Sequence, residues 1–169
     1  MSTETQEEME MRTKPTPQHD WLNHFLGEWV TEGEMMMGPD QPKMKASGRE
    51  KVVSMGGLWA FTEGTSTMPD GSDMHYKATL GYDVSFNEYR GCWFADVSSH
   101  LWKQTGTLSA DGKTMTLDCV GPHMEKDGET ANYRDIHHIV DENTRTMTSC
   151  GQDDEGNWTE FMWVTLKRV

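Results

Sequence analysis

The sequence predicts an all-β fold: one antiparallel up-and-down barrel of about ten strands, with a short N-terminal helix capping one end. Three observations carry this. Apolar and polar residues alternate with period two over most of the chain after Trp29. Turn chemistry of the Gly-Pro, Asp-Gly and Gly-Gly kind interrupts that alternation at short intervals. Helical spacing occurs once, ahead of the first strand.

Residues 1–17 carry charge, threonine and two prolines without apolar periodicity, so a disordered or loosely attached arm is expected there, with the barrel domain over 18–169. Trp21, Leu22, Phe25 and Leu26 then fall on one face of a one- to two-turn helix, with Asp20 as the expected N-cap and Gly27 as the stop. From Trp29 to Met37 the period is two, with Thr31, Gly33 and Met35 opposite Glu32 and Glu34. Gly38-Pro39-Asp40-Gln41-Pro42 breaks the chain.

In the next strand, Lys43 to Val53, the cations Lys43, Lys45, Arg49 and Lys51 share one face. Met44, Ala46, Gly48, Glu50 and Val52 therefore share the other. Gly56-Gly57 leads into Leu58–Glu63, and Pro69-Asp70-Gly71 into Met74–Tyr82. Tyr89–Val97, Leu101–Leu108, Thr114–Val120, Thr130–Val140, Thr144–Cys150 and Asn157–Arg168 complete the strands. Consecutive strands joined by short turns make a meander, and closing it removes exposed edges.

Composition narrows the function classes. With 28 acidic and 15 basic residues the net charge is −13, a surface that repels nucleic acid. The hydrophobic share is 34% and no apolar run reaches the roughly 20 residues of a membrane helix, so no membrane partner is expected. Without a secretory signal pattern, and with three dispersed cysteines (Cys92, Cys119, Cys150) and no CxxC pair, the chain reads as cytoplasmic with free thiols. Methionine is abundant at 14 residues, and soft, adaptable side chains suit a pocket wall.

Gly27-Glu28-Trp29, preceded by a short apolar helix and followed by the meander, resembles the Gly-x-Trp signature of lipocalins. In that family the tryptophan closes one end of the barrel and an arginine near the last strand packs across it. Arg168 stands where that arginine would be, and the resemblance implies a cation–π stack. A wider set of segments includes His19-Asp20-Trp21-Leu22, Gly56-Gly57-Leu58-Trp59, Met68-Pro69-Asp70-Gly71, Gly81-Tyr82-Asp83, Tyr133-Arg134-Asp135 and Asp154-Glu155-Gly156-Asn157-Trp158. Together with Gly121-Pro122 and the Lys167-Arg168 ending, they resemble a mostly bacterial group of the calycin superfamily (lipocalin and fatty-acid-binding-protein-like) whose function is unknown. That resemblance implies the barrel and no activity, since fold is not function.

The chain has no Gly-x-Ser-x-Gly, Walker, Gly-x-Gly-x-x-Gly or His-Glu-x-x-His motif, and no catalytic residue is assigned. His137 and His138 are adjacent on a strand, so they point to opposite faces and cannot chelate one metal together; the pattern leaves open which faces inward. His75, His100 and His123 are scattered near strand ends. Haem held by one histidine is an alternative for small barrels, but no residue marks an axial ligand, and the expectation is no cofactor and no metal.

Glu50, on the face opposite four cations, needs a buried partner, and Arg134 is the expected one. Inward parity gives the expected pocket lining as Met35, Met44, Glu50, Trp59, Tyr76, Trp93, Trp102, Met115, Arg134, Met147 and Met162. A ten-stranded barrel is wider than side chains alone fill, so interior space is expected. The leading functional expectation is binding of a small hydrophobic or amphipathic molecule in that interior. An enzyme using an acid–base carboxylate or histidine inside the barrel is the first alternative. A filled barrel acting as an interaction protein, with a homodimer possible through one face, is the other.

Overall fold

The computed structural model describes residues 12–169, so most of the expected N-terminal arm lies outside the described residues. Ten strands run in chain order: β1 (Gly27–Met35), β2 (Met44–Met55), β3 (Trp59–Thr67), β4 (Asp73–Asp83), β5 (Glu88–Ala95), β6 (Trp102–Leu108), β7 (Thr114–Pro122), β8 (Thr130–Asp141), β9 (Thr144–Gln152) and β10 (Trp158–Arg168). Each pairs antiparallel with its chain neighbours, and β1 also pairs with β10, so the sheet closes. Among the described residues no helix is long and apolar enough to cross a membrane.

Helix α1 spans Pro17–Trp21 and continues as a 3-10 turn, Leu22–Phe25. It starts earlier than expected. Thr16, not Asp20, is the N-cap, Pro17 supplies the preset φ of the first turn, and His19 Nδ1 accepts the Thr16 backbone N–H at 2.9 Å. Gly27 does not stop the helix: the turn ends at Leu26, and Gly27, at φ +117°, opens β1. A side chain there would meet the Arg168 guanidinium, so glycine is required twice over.

This helical segment plugs the barrel. Trp21, Leu22 and Phe25 join Trp29, Val52, Ala60, Leu80, Met115, Leu117, Ile139 and Leu166 in one buried cluster. Three hydrogen bonds fix the plug: Trp21 Nε1–H to Gly112 O (2.7 Å), Tyr89 Oη–H to Gln18 O (2.8 Å) and Trp29 Nε1–H to Phe25 O (2.8 Å). Aromatic side chains thus fill the end while their polar tips are satisfied. The Arg168 guanidinium lies 4.2 Å over the Trp29 ring and donates to the carbonyls of Leu26 and Glu142, as the Gly-x-Trp resemblance implied.

Register fixes what faces inward. Trp29 pairs with Glu50, Glu50 with Gly64, Gly64 with Tyr76, and Tyr76 with Ala95, so one row crosses five strands. A second row runs Leu117, Asp135, Ser149, Met162, Met35, Met44 across β7, β8, β9, β10, β1 and β2. Because side chains alternate, these rows define the interior face of every strand but β6, where Trp102 opposite Trp93 sets it.

Candidate functional site

Burial of the inward-facing residues varies around the barrel. At the plugged end, inward residues are sealed: Trp29 is 1% exposed and Met115 0%. Towards the other end Met35, Met44, Met74, Trp93, Trp102 and Met162 face inward yet are only half buried. Tyr133, also inward, is buried there, edge-on to Trp102 at 5.1 Å and to Phe161 at 6.2 Å.

Two polar clusters face the interior. In the first, the Arg145 guanidinium (side chain 3% exposed) is paired to the Glu50 carboxylate (9% exposed), which also accepts the Tyr76 Oη–H at 2.8 Å. Arg145 lies 4.6 Å over the Phe25 ring and 4.7 Å over Trp29, so it shares that indole with Arg168. Burial, reinforced by the Glu50 charge, raises the Tyr76 phenol well above its usual range and keeps it a hydrogen-bond donor.

Gly64 makes this cluster possible. It stands between Glu50 and Tyr76 in the row, and a Cβ there would fall within the phenol ring. Gly64→Val is expected to push Tyr76 off Glu50 and cost about 1–3 kcal/mol by overpacking. Urea denaturation measures the loss, and ultraviolet titration should show a tyrosine ionising nearer its ordinary range.

The second cluster centres on Asp135. Its carboxylate accepts the Ser149 Oγ–H at 2.6 Å and the Gln104 Nε2–H at 3.1 Å. Burial pushes this carboxyl above the usual range, against the lowering effect of both hydrogen bonds. Asp135 nevertheless keeps partial accessible surface. Cys119, facing the same interior, has its thiol pushed up to about 12, chiefly by burial and then by the Asp135 charge.

His137 faces inward and His138 outward, where it meets the Thr114 hydroxyl at 3.0 Å. Burial, with the Arg145 charge adding to it, holds His137 down at about 3, and its Nδ1 is buried without a partner. It is therefore neutral throughout the physiological range. His75 pairs with Asp96 outside the barrel, His100 Nε2 meets Val120 O, and His123 Nδ1 accepts the Glu125 and Lys126 backbone N–H groups. Among the described residues no three acidic, His or Cys groups stand close enough to share a metal ion.

Of the expected lining residues, Met35, Met44, Glu50, Tyr76, Trp93, Trp102, Met115, Met147 and Met162 take interior positions, with Met115 wholly in the floor. Two do not. Trp59 points outward across Gly81 and is 38% exposed. The inward side of β3 is instead Ala60, Thr62, Gly64 and Ser66, small residues that leave room for Tyr76. Arg134 also points outward, donating to Asp118 at 2.7 Å and lying 4.2 Å over Trp158. The expected Glu50–Arg134 pair does not form; β8 presents Tyr133, Asp135 and His137 inward, and Arg145 takes Arg134's place.

Arg145, Asp135, Gln104 and Ser149 were not singled out from sequence. Met147 held the clue for two of them, since Arg145 and Ser149 share its parity on β9.

A separate concavity of about 680 Å³ lies on the outer wall of β1–β5, above the backbone of the Trp29–Ala95 row. Its flanks are already paired, Lys51 with Glu28 at 3.8 Å and Lys77 with Glu63 at 2.8 Å.

The chain belongs to a family described as protein of unknown function (DUF1579), whose model matches residues 14–168. No curated protein matches the sequence. Among solved structures, the crystal structure of Rv2717c from M. tuberculosis is similar with a TM-score of 0.65 at 13% identity, covering 92% of this chain and 99% of that one. A redesigned β-barrel gives a TM-score of 0.46 at 11% identity, covering 92% and 99%. The structure of EF1p2_mFAP2b bound to DFHBI gives 0.49 at 9% identity, covering 90% and 99%. The Rv2717c likeness bears on the fold alone.

Proposed function

We propose that this DUF1579 barrel holds one small hydrophobic or amphipathic molecule in the open half of its interior. The observation that carries the reading is partial burial: inward-facing Met35, Met44, Met74, Trp93, Trp102 and Met162, away from the plug, keep accessible surface, whereas Ala95, Cys119 and Tyr133 on the same face are buried. An interior evolved only as a core would be packed throughout, because unfilled apolar space costs stability. Half-buried Met35, Met44, Trp93, Trp102 and Met162 supply apolar walls, and Asp135 with Ser149 supplies a polar station on them.

The test uses the neutral fluorescent probe N-phenyl-1-naphthylamine. It should bind the intact protein saturably with one-to-one stoichiometry. Ala46→Trp places an indole on the inward face of β2, beside half-buried Met44, and is expected to weaken probe binding at least about tenfold, or 1.4 kcal/mol. Its circular dichroism should remain that of the wild type. Unchanged probe affinity in that variant would contradict an interior site.

Acid–base chemistry in the same hollow is a second reading, and Asp135 is what favours it. A carboxyl pushed upward by burial can hold a proton nearer neutral pH, whereas His137, held at about 3, cannot donate one there.

A further inference from the structure

Resting on that interior reading, we infer that the hollow prefers ligands bearing an amine over ligands bearing a carboxylate, with Asp135 as the group that meets the ammonium head.

The inference follows from an inventory of charge on the interior face. Among the described residues, Arg145 and Arg168 are the only cations facing inward, and both belong to the plugged end. Arg145 is spent on Glu50 and stacked on Phe25 and Trp29. Arg168 donates to the Leu26 and Glu142 carbonyls and stacks on Trp29. No cation is left to meet an anionic head group, which would have to be buried unpaired at a cost of several kcal/mol.

Asp135 is the opposite case. It shares a row with the half-buried Met162, Met35 and Met44, it has two uncharged donors, and no cation among the described residues lies within ion-pair distance. Each carboxylate oxygen has a lone pair beyond the bond it already accepts, and the Ser149 oxygen can accept as well. An ammonium offers three donors to that arrangement, and charge-assisted hydrogen bonds are the strong ones. The nearest inward neighbour on β8, His137, is uncharged and does not repel a cation. A net charge of −13 adds long-range attraction for cations and repulsion for anions during approach.

The experiment compares dodecylammonium, dodecanol and dodecanoate, each below its micelle concentration, as competitors for N-phenyl-1-naphthylamine. The expected order of affinity is amine, then alcohol, then carboxylate, with amine and carboxylate at least about tenfold apart. Asp135→Asn should remove most of the amine's advantage over the alcohol, and a circular dichroism spectrum matching the wild type shows that the barrel is intact. Because this variant hardly changes the surface, attraction to the acidic exterior would survive it, and an amine advantage that persists would overturn the assignment to Asp135. A carboxylate that competes as well as the amine would overturn the preference while the interior reading stands. If the probe binds and none of the three displaces it, or the probe does not bind, the interior reading fails and takes this inference with it.

Discussion

Glu50→Ala is expected to destabilise the protein by about 3–5 kcal/mol, the loss typical when one member of a buried ion pair is removed. The mutation leaves the Arg145 guanidinium, 3% exposed, with its charge pressed between Phe25 and Trp29 and its Nε already without a partner. Water cannot replace the carboxylate without opening the floor. Tyr76 loses its acceptor in the same step. Arg145→Met should also destabilise, leaving the Glu50 carboxylate with the Tyr76 hydroxyl alone.

The double variant Glu50→Leu with Arg145→Met removes both charges, and apolar replacement of a whole buried pair is often neutral or better. It should therefore recover most of the loss, which urea denaturation and a double-mutant cycle measure directly. Additive losses in the double variant would mean that the two residues act independently.

Trp29→Ala has the second large effect, also about 3–5 kcal/mol, as for other buried aromatic truncations. Trp29 is 1% exposed, and its indole is the surface on which both interior arginines rest. Its N–H also ties β1 to Phe25 in the 3-10 turn. Loss of the ring should therefore loosen the plug as well as the floor. Hydrogen exchange should show this at the Trp21 indole N–H, which is bound to Gly112 O in the β6–β7 turn and should exchange faster in the variant. A stability loss with unchanged Trp21 exchange would show that the floor and the plug are not coupled through Trp29.

The strands were legible in the sequence because their two determinants are local. Alternation in Lys43–Val53 assigns both faces of β2 without reference to any other strand, and turns such as Pro69-Asp70-Gly71 and Asp111-Gly112 mark where pairing reverses. The helix start was misplaced for a local reason too. Asp20 has the side chain of a cap, but Pro17 sets the first turn three residues earlier and Thr16 takes the cap. Trp29 with Arg168 was readable because the resemblance supplied the long-range pairing that spacing cannot.

The candidate site was legible only in part, because side-chain size misleads about direction. Trp59 is large and apolar, yet it sits outside, since the β3 interior must stay small for Tyr76 to cross Gly64. Arg134 was the expected partner of Glu50, but the alternation within β8 does not say which of its faces is inward, and Arg145 takes that place. The choice is made by register, which puts Met115 opposite His137 and so turns Arg134 to solvent. Asp135 lies one residue away from that error, and fixing the parity of β8 brings it inward together with His137.

The central claim is a hollow above a packed floor, open to a ligand, and methionine placement tests it most directly. With methyl-labelled methionine, nuclear magnetic resonance on addition of dodecanol should shift the methyl signals of Met35, Met44, Met147 and Met162, which face the interior. Met115, sealed in the floor at 0% exposure, and Met55 and Met124, on the exterior at 58% and 55%, should stay in place. Shifts confined to Met55 and Met124, or no saturable shift at any interior methionine, would contradict the hollow and the function proposed for it.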